Sequence, residues 1–164
     1  MPFSNIDSDV YVNGSLTAKT MVIPSAAVGD SQVQAAAGIA ASKLEHQFEV
    51  TYSQDSTTDA TVERRVIHIV KGATADLIAF AAGSVSIAVS AGNAVIDLLK
   101  NGTTVLSAPI TLDSANTNYV LENAAGYTST DLVAGDVLEF KVTSVNATKP
   151  KGVFCRLTIR EDAQ

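Results

Sequence analysis

The feature that most narrows the fold is a period-two alternation running through the last two thirds of the chain. Phe48, Val50 and Tyr52 alternate with Gln47, Glu49 and Thr51, and Leu138, Phe140 and Val142 alternate with Glu139, Lys141 and Thr143. The final stretch sets Val153, Cys155, Leu157 and Ile159 against Phe154, Arg156, Thr158 and Arg160. Successive side chains of a strand point to opposite faces, so this pattern predicts strands with one buried and one exposed face. Two further candidates are Arg65–Lys71, with Ile67 and Ile69 opposite Val66, His68 and Val70, and the stretch carrying Val85, Ile87 and Val89.

Turn chemistry supports the same reading. Asn101–Gly102 is the preferred pair for a two-residue type I′ turn, in which both residues need positive φ. Such a turn sets a register: Lys100 faces Thr103, Leu99 faces Thr104, and Leu98 faces Val105 as a cross-strand apolar pair. Ala134–Gly135–Asp136 predicts a turn before the Leu138 strand, and Pro150 with Gly152 marks the loop before the last one. Seven or eight short strands at this spacing predict an all-β fold, an antiparallel β-sandwich of the jelly-roll kind over residues 47–164. A closed barrel is the main competitor. No helix-length pattern follows Leu44, which argues against parallel α/β folds.

Residues 1–46 have a different character. The stretch from Val10 to Leu44 is rich in alanine and poor in large apolar side chains, so it buries too little to order itself alone. It lacks the charge and proline density of a disordered tail. Such a segment is expected to order against sister subunits or a larger assembly. Val10–Asn13 and Leu16–Ile23 read as a small hairpin turning at Asn13–Gly14, halted by Pro24. Ser31 with Gln34, and Ser42 with Glu45, have capping-box spacing and predict short helical turns, with Gly38 between them. Val33, Ala37, Ala40 and Leu44 share one helical face. The expected contact residues of this arm are Val10, Val12, Leu16, Val22 and Ile23 in the β-like part, and Val33, Ala37, Ile39, Ala40 and Leu44 in the alanine-rich part.

Composition bounds the partners. With a net charge of −6, nucleic acid is disfavoured, because phosphate binding needs clustered Lys and Arg and Arg64–Arg65 is too small a patch. The first ten residues have neither a basic start nor an apolar stretch, so no signal peptide is expected, and no apolar run reaches the roughly 20 residues of a membrane span. Synthesis in a cytoplasm is expected. The single cysteine, Cys155, permits no disulfide within the chain and lies on the inward phase of its strand, as a small hydrophobe would.

Signatures of chemistry are absent: there is no G-x-S-x-G, G-x-x-x-x-G-K-[ST], H-E-x-x-H or C-x-x-C. His46 and His68 are far apart in sequence and read as packing or surface residues rather than a metal pair. Asp7 with Asp9, and Asp55 with Asp59, lack the glycine and ligand spacing of a calcium loop, though an interface cation stays open. The N-x-[ST] sequences at Asn13, Asn101 and Asn146 read as chance matches in a Ser/Thr-rich chain. Tyr11, Tyr52, Tyr119 and Tyr127 could serve a sugar-binding surface, but they are scattered, Trp is missing, and Tyr52 falls on the inward phase. No enzymatic activity and no cofactor are expected.

The string GDSQVQAAAGIAASKL, following VNGSLTAKT, resembles a segment common in tailed-phage virion proteins, especially head-decorating fibres and tail fibres. VIDLLKNGTTVLSAPITLDS, LVAGDVLEFKVT and KGVFCRLTIRED look like the β-sandwich heads of such proteins. The resemblance implies a homotrimeric virion protein whose N-terminal part attaches to the major capsid protein or another virion protein while the sandwich faces solvent. It supplies no catalytic residues. Two alternatives stay open: a tail-fibre receptor-binding head, and a carbohydrate-binding module of a bacterial surface protein. Both would add a host-surface glycan as partner.

Overall fold

Two strands drawn from opposite ends of the sequence lie side by side in each of two antiparallel sheets. The computed structural model describes residues 46–87, 93–146 and 148–162. The ten strands among them are β1 (His46–Ser53), β2 (Glu63–Ile69), β3 (Thr74–Ser86), β4 (Ala94–Lys100), β5 (Thr103–Thr104), β6 (Ile110–Leu112), β7 (Glu122–Asn123), β8 (Asp131–Val133), β9 (Val137–Val145) and β10 (Lys151–Glu161). One sheet runs β1-β10-β3-β7, with β8 also on β3, and the other runs β2-β9-β4-β5, with β6 also on β4. No helix occurs among the described residues. The expected arm lies outside them, including its hairpin, its helical turns and every contact residue from Val10 to Leu44.

The architecture is a β-sandwich, and the alternating phase of its long strands explains why. Phe48, Val50 and Tyr52 of β1 pair with Ile159, Leu157 and Cys155 of β10, and the latter two pair onward with Phe80 and Ala82 of β3. In the other sheet, Phe140 and Val142 of β9 stand beside Leu98 and Ile96 of β4. These inward residues form one core, in which Phe80, Phe140, Leu138, Leu157 and Ile159 are fully buried. Burying a side chain of this size contributes roughly 1.5–3 kcal/mol. The paired sheets are separate, which distinguishes the fold from the closed barrel weighed against it.

Both sheets share a design. The 13-residue β3 is flanked on one side by β10 along nearly its whole length, and on the other by two short strands. There β8 covers Thr74–Asp76 and β7 covers Ala81–Ala82. Likewise β4 carries β9 on one side, and β5 and β6 in succession on the other. These short strands bring the number to ten, above the seven or eight expected.

The Asn101–Gly102 hairpin has the expected register, with Leu99 opposite Thr104 and Lys100 opposite Thr103, and Val105 N–H donates to Leu98 O at 3.0 Å. Both turn residues have positive φ, 50° and 85°, as a type I′ turn requires. The tip is locked to the second expected turn. Asn101 Nδ2 donates to Asp136 Oδ1 at 2.6 Å, Val137 N–H donates to Asn101 Oδ1 at 2.9 Å, and Lys100 Nζ lies 3.5 Å from Asp136. Gly135 has φ 90°, and Asp136 N–H closes its turn onto Val133 O.

Two strand expectations need correction. In β2 the simple alternation fails, because a register shift between Val66 and His68 resets the phase. Val66 and Ile69 are both more than half exposed, while Val70 is buried and Ile67 packs on the core. A bulge adds one residue to one strand, so side chains beyond it change face. The Val85–Val89 stretch is only the tail of β3, which starts at Thr74 and ends at Ser86; Val89 lies outside the described residues. The run of alanines in β3 hid this strand, since small residues carry a weak alternation signal. The last strand also starts earlier than Pro150 and Gly152 suggested, at Lys151.

Candidate functional site

Where the described chain begins, polar side chains join the two sheets. Tyr52 Oη on β1 donates to Glu63 Oε1 on β2 at 2.8 Å, and Gln54 Nε2 donates to the same oxygen at 2.9 Å and to Thr61 O at 2.8 Å. Arg65 Nε lies 3.3 Å from the second Glu63 oxygen. Burial pushes the Tyr52 hydroxyl above its ordinary pKa, and its bond to Glu63 adds to that. Further along the seam, His68 Nε2 on β2 meets Glu161 Oε1 on β10 at 2.5 Å, and the His68 ring packs edge-on to Phe48.

The other Glu161 oxygen accepts from Gly72 N–H at 3.0 Å and Lys71 N–H at 3.3 Å. Burial pushes this carboxyl up, but His68 and the two amides together outweigh it and hold Glu161 below the usual carboxylate range. A buried carboxylate is tolerated only with such partners. The seam is therefore a structural clasp. It engages His68 through Nε2, and His46 stands apart at the exposed start of β1.

The remaining residues singled out in the sequence disperse. Cys155 is buried in the core, and burial pushes its thiol up to about 12, so it packs as a hydrophobe. Asp55 caps its own turn, its Oδ1 accepting from Thr57 N–H at 2.8 Å and Thr57 Oγ1 at 2.7 Å. These bonds, the amide first, hold the exposed Asp55 carboxyl below its ordinary pKa. Among the described residues, no group of three or more His, Cys, Asp or Glu side chains is placed to hold a metal ion.

The tyrosines separate most sharply. Tyr52 is committed to the seam, and Tyr127 Oη accepts from Phe80 N–H at 2.6 Å. Tyr119 is 70% exposed and has a backbone φ of 63°. Its segment is pinned at the end of β3, where Tyr119 N–H donates to Ser84 O at 2.9 Å and Ile87 N–H, just past the strand, to Asn118 Oδ1 at 2.7 Å; Val120 N–H closes the segment on itself, donating to Thr117 O at 3.2 Å.

Tyr119 forms part of an open cleft of about 610 Å³, together with Ser53, Gln54, Asp55, Ser56, Val85 and Phe154. A second hollow, about 250 Å³, adjoins it through Ser53 and Phe154, and includes Leu121 and Arg156. Phe154 lies on the outer phase of β10 directly opposite Gly83 of β3. A Cβ at position 83 would stand 2.7 Å from Val120 O and 2.8 Å from the Phe154 ring. Glycine there lets the ring and the Tyr119 segment lie close against the sheet. A third hollow, about 490 Å³, lies elsewhere, along Ala108–Thr111, Asp113–Asn116 and Glu122–Ala125.

The sequence reading passed over Phe154 and did not separate Tyr119 from the other tyrosines. The available signal was the outward phase of a large aromatic at Phe154 and the turn-forming run DSANTN before Tyr119. No known family model matches the chain, and no curated protein matches it.

Proposed function

We propose that this chain is a non-enzymatic structural protein of a tailed-phage virion, a decoration or head-fibre protein that binds the capsid surface. In this reading residues 1–46 attach and assemble the protein as a homotrimer, and residues 47–164 are presented outward. The interleaved strand order, with the first strand of each sheet next to one from the chain's end, supports reading the sandwich as a jelly roll.

The observation that carries the proposal is the core of the described residues. Buried side chains from Ala60 to Ile159 form a single apolar cluster between the sheets, and in this reading the body folds on that core. That leaves the segment for attachment, and its entry point is β1, the outermost strand in its sheet's pairing order. An arm ordered only on docking loses about 1–2 kcal/mol of backbone entropy per residue, so many shallow contacts must offset it. Attachment should then depend on arm length. With Lys19 and Lys43 its only cations, it should resist salt.

The test adds full-length protein, and a version beginning at His46, to particles lacking the protein, and counts bound copies. Light scattering gives the assembly state of each. Full-length trimers should saturate particles, while the shortened body should stay folded and unbound. Equal binding by the two, or a full-length monomer at micromolar concentration, overturns the assignment.

A further inference from the structure

We infer that the cleft between Tyr119 and the Asp55–Thr58 turn is a binding site for neutral carbohydrate. This goes beyond the virion reading and does not rest on it.

The first observation is conformational. A bulky non-glycine residue with φ near 60° is strained, and strain of this kind persists only where surrounding contacts over-determine it. At Tyr119 those contacts are its own N–H bond to Ser84 O and the bond of Asn118 to Ile87 N–H, and among the described residues its hydroxyl makes no hydrogen bond. The strained backbone holds the segment on the sheet while leaving the side chain outside: Tyr119 is 70% exposed and borders a cleft. An exposed tyrosine on a backbone tied to the sheet offers a ligand a flat apolar face and a hydroxyl.

The second observation is the lining. Val85 and Phe154 supply apolar surface, while Ser53, Ser56 and Asp55 supply hydroxyls and a carboxylate. The wall opposite Tyr119 is preformed. Thr57 holds Asp55, Gly152 N–H donates to Thr58 O at 3.2 Å, and Gln54 is bonded into the seam behind. At about 610 Å³ the cleft falls within the range of small-molecule sites, roughly 300–1,000 Å³. A sugar ring matches this chemistry: its C–H face covers an aromatic plate while its edge hydroxyls bond to serines and a carboxylate.

Charge selects against other ligands. Among the described residues lining the cleft, Asp55 is the one carboxylate and none is a cation, which disfavours an anionic ligand. Arg156 in the adjoining hollow is paired with Glu49 at 3.7 Å.

The experiment uses the full chain and methyl glycosides of glucose, galactose, mannose and N-acetylglucosamine as probes. Ligand-observed NMR measures affinity, and amide shifts locate the contact. At least one glycoside should bind with submillimolar to millimolar Kd and shift residues 53–56, 85, 119 and 154. Tyr119→Gly should weaken that binding tenfold or more while the Tm stays level or rises, because glycine adopts this φ without strain. Tyr119→Phe should stay within about threefold of the parent. Absence of binding, shifts centred elsewhere, full affinity in Tyr119→Gly, or a clear fall in its Tm would each overturn the inference.

Discussion

Two non-glycine residues of the described chain carry a left-handed backbone, Asn101 at the tip of the β4–β5 hairpin and Tyr119 beside the open cleft. Asn101 is suited to it. Asparagine tolerates this region, is followed by a glycine in the same region, and spends both ends of its amide on Asp136 and Val137. Tyr119 has none of these advantages, and among the described residues its side chain makes no hydrogen bond to the fold. The first conformation arises from local residue chemistry, and the second is imposed by the bonds that tie Asn118 and Tyr119 to the end of β3. Strain that local chemistry relieves is part of folding, whereas strain left unrelieved on an exposed ring points to a ligand.

Breaking the hairpin should give the largest effect. Gly102→Val puts a β-branched residue at φ 85°, where backbone strain costs about 1–3 kcal/mol. Thermal unfolding should shift downward by several degrees, and an unchanged curve would mean the turn tolerates any residue.

Exchanging each left-handed residue for glycine should separate the two sites by sign. Asn101→Gly keeps the conformation and removes the side-chain bonds to Asp136 and Val137, for a loss of about 1–2 kcal/mol. Denaturant unfolding measures it, and a neutral result would show that the interlocked turns carry no stability.

Acid should loosen the hairpin end. Burial pushes Asp136 up, but Val133 N–H, Asn101 and Lys100 outweigh it and hold the carboxyl below its ordinary value. Glu139 is held low chiefly by the Arg64 guanidinium, at 2.5 Å, against opposing burial. A carboxylate with a depressed folded-state pKa stabilises the fold fully above its unfolded value, about 4, and that share is lost as pH falls through the folded value. Stability should therefore decline below about pH 4. Asp136→Asn should flatten the decline below about pH 4; an unaltered slope would remove Asp136 from the account.

The smallest effect, with the opposite sign, is expected at the cleft. Tyr119→Gly should gain up to about 1 kcal/mol, relief of strain being partly cancelled by a freer unfolded chain. A loss comparable to that of Asn101→Gly would make the two sites equivalent and dissolve the contrast.

Sequence alone determined the parts of this fold that local periodicity and turn chemistry encode. The inward phases of β1, β9 and β10 and the register of the Asn101–Gly102 hairpin follow from side-chain alternation and from two residues able to adopt positive φ. The same information failed at β2, because one extra residue at a bulge reverses every later side chain and leaves no compositional mark. It failed at β3, where alanines blur the alternation. Only the tertiary structure decided which strands became neighbours, since pairing β1 with β10 depends on burying both against a second sheet. It also decided that Tyr119, of the three described tyrosines, stands exposed: Tyr52 and Tyr127 found partners on distant strands, and the bond to β3 holds Tyr119 in a conformation that its own chemistry would avoid.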